Sequence, residues 1–334
     1  MSNIILLKEL HKKNVEDVGE KALNLAKLHA NKFPIPISFV ISYSAYQDFL
    51  LDNDLSKHIN NYFSSISLDN FSSVGDVSSK LRELIFQSNI SNNLKNEITK
   101  AYSHLDVHQD IFKADVPDAL SFIKAGRSKP FVAVKRSGNF DFKENFNVLN
   151  VIGESNVLDA VKKCWASFFS KDLVSYVIKN NLSSSNICMA IIIQKMVNSD
   201  KSGIIYSKNF NHEDEIKIEA GLGIDSNVRD EYILDRGSLE LKDKIVRNQE
   251  EIMYRDDNVN KIVRKYLNNR KGNTQKIGIA ELKKLGLMAK RVEALLQKPQ
   301  KIRFGIESGR LYLLSSKELK MPNYGVLEAK QTFF

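Results

Sequence analysis

Between residues 187 and 235 the chain carries four short apolar runs divided by polar breaks: ICMAIIIQKMV (187–197), GIIYS (203–207), EIKIEAG (215–221) and DEYILD (230–235). Each has the length and the bounding turn residues of a strand. Further on, IRFGI (302–306), a turn at Glu307–Gly309 and RLYLLS (310–315) read as a β-hairpin. The C-terminal half is therefore expected to be built on sheet. The N-terminal half reads differently. Helical apolar spacing occupies 15–30, a short strand Phe39–Ile41 follows a proline-containing segment, and a second helical pattern starts at Ser44. Residues 52–100 are polar but place Leu81, Leu84 and Ile85 at helical intervals, as in helices joined by loops. FVAV (131–134) reads as a buried strand, 157–179 as one long amphipathic helix, and 279–297 as a further helix. The expected class is α+β, with a helical and irregular N-terminal half and a strand-rich C-terminal half.

At 334 residues the chain predicts about two domains or one bilobed one. Its 43% hydrophobic and 27% charged residues exclude a disordered or collagen-like chain. Two cysteines, Cys164 and Cys188, make no disulfide framework, and no Cys/His set has zinc spacing. The apolar run Ile4–Leu7 is too short for a signal peptide or an anchor, so a cytoplasmic protein is expected. The net charge of +9 is concentrated: Lys261–Arg303 holds 13 Lys/Arg against Glu281 and Glu293, or +11, which leaves −2 for the remainder. Such a run is more often a solvated face than a polyanion surface. No RNA-recognition signature accompanies it and Tyr266 is its one aromatic residue, so RNA or another polyanion is the minor reading.

Several motifs, in order, carry a resemblance. They are Val18-Gly19-Glu20-Lys21-Ala22-Leu23-Asn24-Leu25, Phe33-Pro34-Ile35-Pro36-Ile37-Ser38-Phe39-Val40-Ile41 with Ala45-Tyr46, and Val132-Ala133-Val134-Lys135-Arg136-Ser137. Ala160–Phe169 (AVKKCWASFF), Gln194–Val197, Ser202–Ser207, the Gly-Leu-Gly at 221–223 and the Asp-Glu-Tyr at 230–232 continue the series. Together they resemble the N-terminal ATP-binding module of phosphoenolpyruvate synthase and pyruvate phosphate dikinase, which has an ATP-grasp fold. The resemblance implies an N-terminal subdomain over 1–130, a central lobe over 131–205, a C-terminal lobe over 206–320 and a tail over 321–334. It also implies ATP as the ligand. Lys21 matches the family lysine that contacts phosphate, and Lys135 stands at the phosphate-gripping arginine with Arg136 beside it. Neighbouring strand residues point to opposite faces, so Lys135 is the in-register choice, and Arg136 could serve only if the strand slips or bulges. Gln194, Lys195, Met196 and Val197 would line the adenine pocket. Trp165 and Cys164 match the family as packing residues.

The departures concern the metal. Family members end the module with D-I-E-W and L-Q-x-R, whose acidic residues and Gln hold the metal on ATP. Here the matching positions are Lys301-Ile302-Arg303-Phe304 and Leu314-Ser315-Ser316-Lys317. Cations in place of oxygen ligands argue against Mg²⁺ and place Lys301, Arg303, Ser315 and Lys317 as direct phosphate contacts. The phosphate-covering loop at Gly138–Phe146 is short, Asn147 replaces a threonine, and Ile224 replaces the Glu after Gly-Leu-Gly. Full-length members continue into a phosphohistidine domain and a substrate domain. The histidines here (His11, His29, His58, His104, His108, His212) lie in no such motif. The leading expectation is a divergent stand-alone module that binds a nucleotide or another anion, without turnover, and acts through a partner. The alternative is an active phosphotransferase subunit completed by a separate phosphohistidine or substrate-domain protein, with Asp225, Asp230 and Glu307 as its candidate carboxylates.

Overall fold

The computed structural model describes residues 3–12, 15–64, 73–105, 129–138, 146–180, 189–210, 212–256, 258–259 and 261–320. Cys188, His108, most of the Gly138–Phe146 loop and the 321–334 tail lie outside them. The chain divides into two units, Met1–Lys32 with Pro36–Met196, and Phe33–Ile35 with Val197–Phe334.

The first unit holds β1 (Ile4–Leu6), α1 (Val15–Ala30), β2 (Ser38–Ile41), α2 (Tyr43–Asp52), α3 (Leu55–Ser64), α4 (Val74–Gln87) and α5 (Asn92–His104). It continues with β3 (Val132–Gly138), β4 (Asn147–Val151), α6 (Glu154–Phe168), α7 (Lys171–Lys179) and β5 (Met189–Lys195). The strands form one antiparallel sheet in the order β1-β2-β5-β3-β4. β1 and β2 share this sheet with β3 and β5, so residues on both sides of position 130 belong to the first unit, which closes at Met196.

Strand alternation gives this sheet two different faces. Phe39, Ile41, Val132, Val134, Ile191 and Ile193 point into a core shared with the helices, and Trp165 of α6 is fully buried there. The Trp165 ring packs 4.7 Å from Phe49 and 5.5 Å from Tyr46, and its N–H donates to the Met189 carbonyl at 3.2 Å. Cys164 belongs to the same core, and burial pushes its thiol pKa up to about 12, so it is inert packing. The long helix expected over 157–179 is two helices. Ser170 caps the second, its hydroxyl accepting from the Leu173 amide at 3.4 Å, and the buried carbonyl of Phe169 takes the Ser78 hydroxyl at 2.7 Å. An apolar pattern running through both segments hid that break.

The second unit holds β6 (Lys201–Tyr206), β7 (Glu215–Leu222), β8 (Asp230–Asp235), β9 (Leu241–Ile245), β10 (Glu251–Asp256), β11 (Lys261–Tyr266), α8 (Asn269–Gly272), α9 (Ile279–Leu296), β12 (Gln300–Glu307) and β13 (Arg310–Glu318). Six strands form an antiparallel sheet in the order β13-β12-β6-β7-β8-β9, and β10 and β11 pair separately. The predicted hairpin is β12–β13, and DEYILD is β8. Helix α9 buries Leu282, Leu285, Ala289 and Val292 on one face of the sheet, where Ile216, Leu234, Ile302 and Phe304 are also buried. Gly286 permits that approach, since a Cβ there would stand 3.0 Å from Leu234 and Leu239.

A buried polar knot ties the loop before α9 to β8. Asp230 and Lys276 are fully buried and 3.0 Å apart. Asp230 also accepts from the Tyr232 hydroxyl at 2.8 Å and the Arg247 amide at 2.9 Å, while the Lys276 ammonium donates to the Gly272 and Arg247 carbonyls. Burial raises the Tyr232 pKa well above its ordinary value. With every charge answered, the pair is tolerated in the interior. No helix among the described residues is long and apolar enough to cross a membrane.

Candidate functional site

In the first unit the predicted residues converge on the sheet face opposite the helical core. Helix α1 crosses this face, and at Gly19 its backbone leaves helical geometry (φ 75°, ψ 159°). The Ser137 hydroxyl stands in the gap, accepting from the Ala22 amide at 3.1 Å and donating to the Val18 carbonyl at 2.6 Å. It replaces the helical bond that would join those two groups. Only glycine fits: φ is positive, and a Cβ would lie 2.4 Å from the Ser137 carbonyl oxygen. Lys21 follows two residues later, at the start of the restarted helix, where backbone N–H groups and an ammonium together favour an anion.

Lys135 lies on the same sheet face as Ser137, and its ammonium donates to Gln194 Oε1 at 2.5 Å. Gln194 is 1% exposed, and its Nε2 has no hydrogen-bond partner among the described residues. An orphaned buried donor beside a lysine fits an anionic or carbonyl-bearing ligand. Arg136 points the other way. It is 4% exposed, donates to the Ser167 carbonyl at 2.9 Å and stacks over Phe146 and Phe168. The regular β3–β5 register leaves no slip or bulge to turn it, so Arg136 belongs to the packing under α6. The Lys195 and Met196 amides are committed to the Ile37 and Phe131 carbonyls, each at 2.8 Å, and Met196 Sδ receives the Asn150 amide at 3.2 Å. That segment is held in place by its own amides. Val197 falls in the second unit.

In the second unit the register sets Lys301 opposite Lys317 and Arg303 opposite Ser315. These four residues share the sheet face away from α9, while Ile302 and Ser316 between them are fully buried. Lys301 stands over the Tyr206 ring at 5.4 Å. Burial, with the charge of Arg303 next in weight, holds its pKa below the ordinary lysine value. Arg303 pairs with Asp225 at 3.2 Å, and Asp225 also meets Arg229 at 3.4 Å. Further along the same face Lys217 bridges Glu219 at 3.0 Å and Glu231 at 2.9 Å. Burial alone would lower the Lys217 pKa, but its bonds to Glu231 and Glu219 outweigh that and raise it.

The candidate carboxylates do not assemble. Asp225 is shared by two arginines, Asp230 is locked in the buried knot, and Glu307 accepts the Asn198 amide at 3.1 Å. Among the described residues no group of three or more His, Cys, Asp or Glu could hold a metal ion. Lys301, Arg303, Lys317 and Ser315 bring no carboxylate of their own, and the acids on this face, Asp225 and Glu219, are already paired with Arg303 and Lys217, a set that does not fit Mg²⁺. Sequence reasoning passed over Ser137 as a helix-breaking hydroxyl and Asp225 as counter-charge to Arg303. The Gly19 motif could have signalled the first. The second joins residues 78 positions apart and has no local signal.

The family model described as pyruvate phosphate dikinase, AMP/ATP-binding domain, matches residues 15–331. The chain belongs to this family. Among curated relatives it is 26% identical to a probable phosphoenolpyruvate synthase of Archaeoglobus fulgidus, over 95% of this chain and 41% of the relative. A probable phosphoenolpyruvate synthase of Methanocaldococcus jannaschii is also 26% identical, over 99% of this chain and 28% of its own length. An uncharacterized phosphotransferase of Bacillus subtilis is 26% identical over 90% of this chain and 33% of its length. The chain thus spans well under half of each of these relatives. Among solved structures, the ATP-grasp ligase PsnB complexed with a minimal precursor is similar over 91% of this chain, at 8% identity and a TM-score of 0.27.

Proposed function

We propose that this chain binds the phosphates of a nucleotide, ATP foremost, through protein cations in place of a metal ion, and that it does not itself transfer phosphate. The observation that carries the reading is the strand pair β12–β13, where Lys301, Arg303 and Lys317 share one face with Ser315. In the sequence resemblance Lys301, Arg303 and Ser315 stand at metal-ligand positions, and Lys317 stands at the arginine that assists them. Three positive side chains there repel Mg²⁺ and attract phosphate oxygens. Within the first unit, taken by itself, Lys21, Lys135 and the Nε2 of Gln194 are also donors suited to an anion. ATP supplies a polyphosphate with several negative charges, and the residues of this chain hold and orient it. Phosphoryl transfer depends on metal-assisted neutralisation of charge, so a site that repels the metal retains binding and forfeits most of the rate.

The reading of a partner that supplies a phosphohistidine or substrate domain rests on family membership. Such a partner would read the nucleotide-bound state of this chain. Equilibrium dialysis of ATP in the presence of EDTA tests the binding claim. Wild type is expected to retain ATP, and Lys301→Ala with Arg303→Ala to weaken it about tenfold or more, the loss of two charge-assisted contacts. Failure of wild type to retain ATP without metal, or steady ATP turnover by the purified chain, would overturn the reading.

A further inference from the structure

The basic stretch at 261–303 is not one surface. Lys261, Arg264 and Lys265 lie on β11, Lys276 is buried, and Lys301 and Arg303 lie on the open sheet face. Lys290, Arg291 and Lys298 have a different fate. At the C-terminal end of α9 they meet Lys208, which follows β6, and Arg236, which follows β8, around an open cavity of about 640 Å³. Five cations line it against one carboxylate, Glu293.

The charges are unequally answered. Arg236 is held by Glu293 at 2.8 Å and by the Ser207 carbonyl, which fixes its guanidinium at the wall of the groove. Lys208 reaches Glu213 at 2.7 Å, and Lys298 reaches Glu318 at 2.7 Å. Both acids lie outside the lining. Lys290 donates to the Arg236 carbonyl at 2.9 Å, and Arg291 lies over the Phe33 ring at 5.0 Å. Neither has a carboxylate within ion-pair distance among the described residues. Three separate chain segments therefore bring positive charge to one concavity whose size suits a small ligand. A surface for RNA would instead spread its charges along a stripe with aromatic rings open for stacking, whereas no aromatic residue is among those lining this cavity and Arg291 lies over the Phe33 ring.

We propose that this groove is a second anion site, for a small multivalent oxyanion of the phosphate or pyrophosphate class. Lys290 and Arg291 make the contacts, and Arg236 is the fixed wall behind them. The site is independent of the nucleotide reading, because it lies at the end of α9 on the sheet face opposite Lys301 and Arg303.

Calorimetric titration of inorganic pyrophosphate at low ionic strength into the whole chain tests it. The chain carrying Lys301→Ser and Arg303→Ser should still bind pyrophosphate. Adding Arg291→Glu, an exposed change, should weaken that residual binding about tenfold or more, as loss of a charge-assisted contact and gain of a repulsive one require. Lys290→Gln should weaken it in the same direction. Residual binding that ignores both substitutions, or no residual binding, overturns the proposal. Equal binding by wild type and the Lys301/Arg303 variant would count against the nucleotide reading alone.

Discussion

Ser137 shows how one hydroxyl sets the geometry around it. It takes the place of a helical hydrogen bond between Val18 and Ala22 while Gly19 supplies a backbone that no side chain fits. Gly19→Ala therefore forces a Cβ against the Ser137 carbonyl at positive φ. It should destabilise the chain by about 2–4 kcal/mol in urea unfolding, the sum of backbone strain and overpacking. Ser137→Ala leaves an amide and a carbonyl unanswered and should cost about 1–3 kcal/mol. A loss below the error of the fit in both variants would mean that α1 does not depend on this insertion.

Lys301 makes a second prediction at the same scale. Burial and Arg303 lower its pKa, so in the free protein it gives up its proton below the ordinary lysine value of 10.5. A bound phosphate favours the charged form and raises that pKa again. Between the free and bound values, binding must take up a proton. Titration of ATP near the lowered pKa, in buffers of different ionisation enthalpy, should report proton uptake in wild type and less of it in Lys301→Met. Equal uptake by the two proteins would remove Lys301 from the contact.

At the scale of elements, the strands and helices with strong periodicity were legible in the sequence. The hairpin β12–β13, strand β8 and helix α9 lie where the apolar pattern puts them. What the pattern could not convey was competition between local and distant partners. β1 and β4 are short, and they are strands because β2 and β3 offer them edges. β9 and β11 are mostly exposed and β10 is half-buried throughout, so no buried face marks them. The α6–α7 break turns on Ser170. Ser170→Ala should cost about 1 kcal/mol of stability through the lost cap, read as a lower melting temperature. The loop before α9 is held instead by the Asp230–Lys276 pair. Lys276→Met would leave Asp230 charged and buried and should cost about 3–5 kcal/mol. A wild-type denaturation midpoint in that variant would contradict the structural role given to the knot.

Across the whole molecule, family membership is the firmest inference, and the motifs that carry it are mainly backbone and packing features. Gly19, Gly203, Trp165 and Asp230 preserve the fold without reference to chemistry. At Gly203 a Cβ would lie 2.1 Å from the Glu219 carbonyl oxygen, which explains a glycine there in packing terms alone. Of the residues that depart from the family motifs, Lys301, Arg303 and Ser315 fall at positions that the resemblance gives to metal ligands. The sheet faces taken by Lys135, Lys301, Arg303 and Lys317 were legible, because strand alternation fixes them once the resemblance supplies the register. The role of Arg136 was not, because its partners Ser167 and Phe168 come from a helix some thirty positions on. The +11 stretch likewise dispersed over several elements, so its formal charge describes the chain and not a surface.

Replacement of metal by protein cations is tested most directly by calorimetric titration of ATP into the purified chain, once with EDTA and once with saturating Mg²⁺. Binding in EDTA that is as tight as, or tighter than, binding of the magnesium complex is the predicted result, since Mg²⁺ would cancel the charge that Lys301, Arg303 and Lys317 are proposed to recognise. Binding seen only with Mg²⁺ would contradict it and would require metal ligands on this chain that the strand pair β12–β13 does not provide.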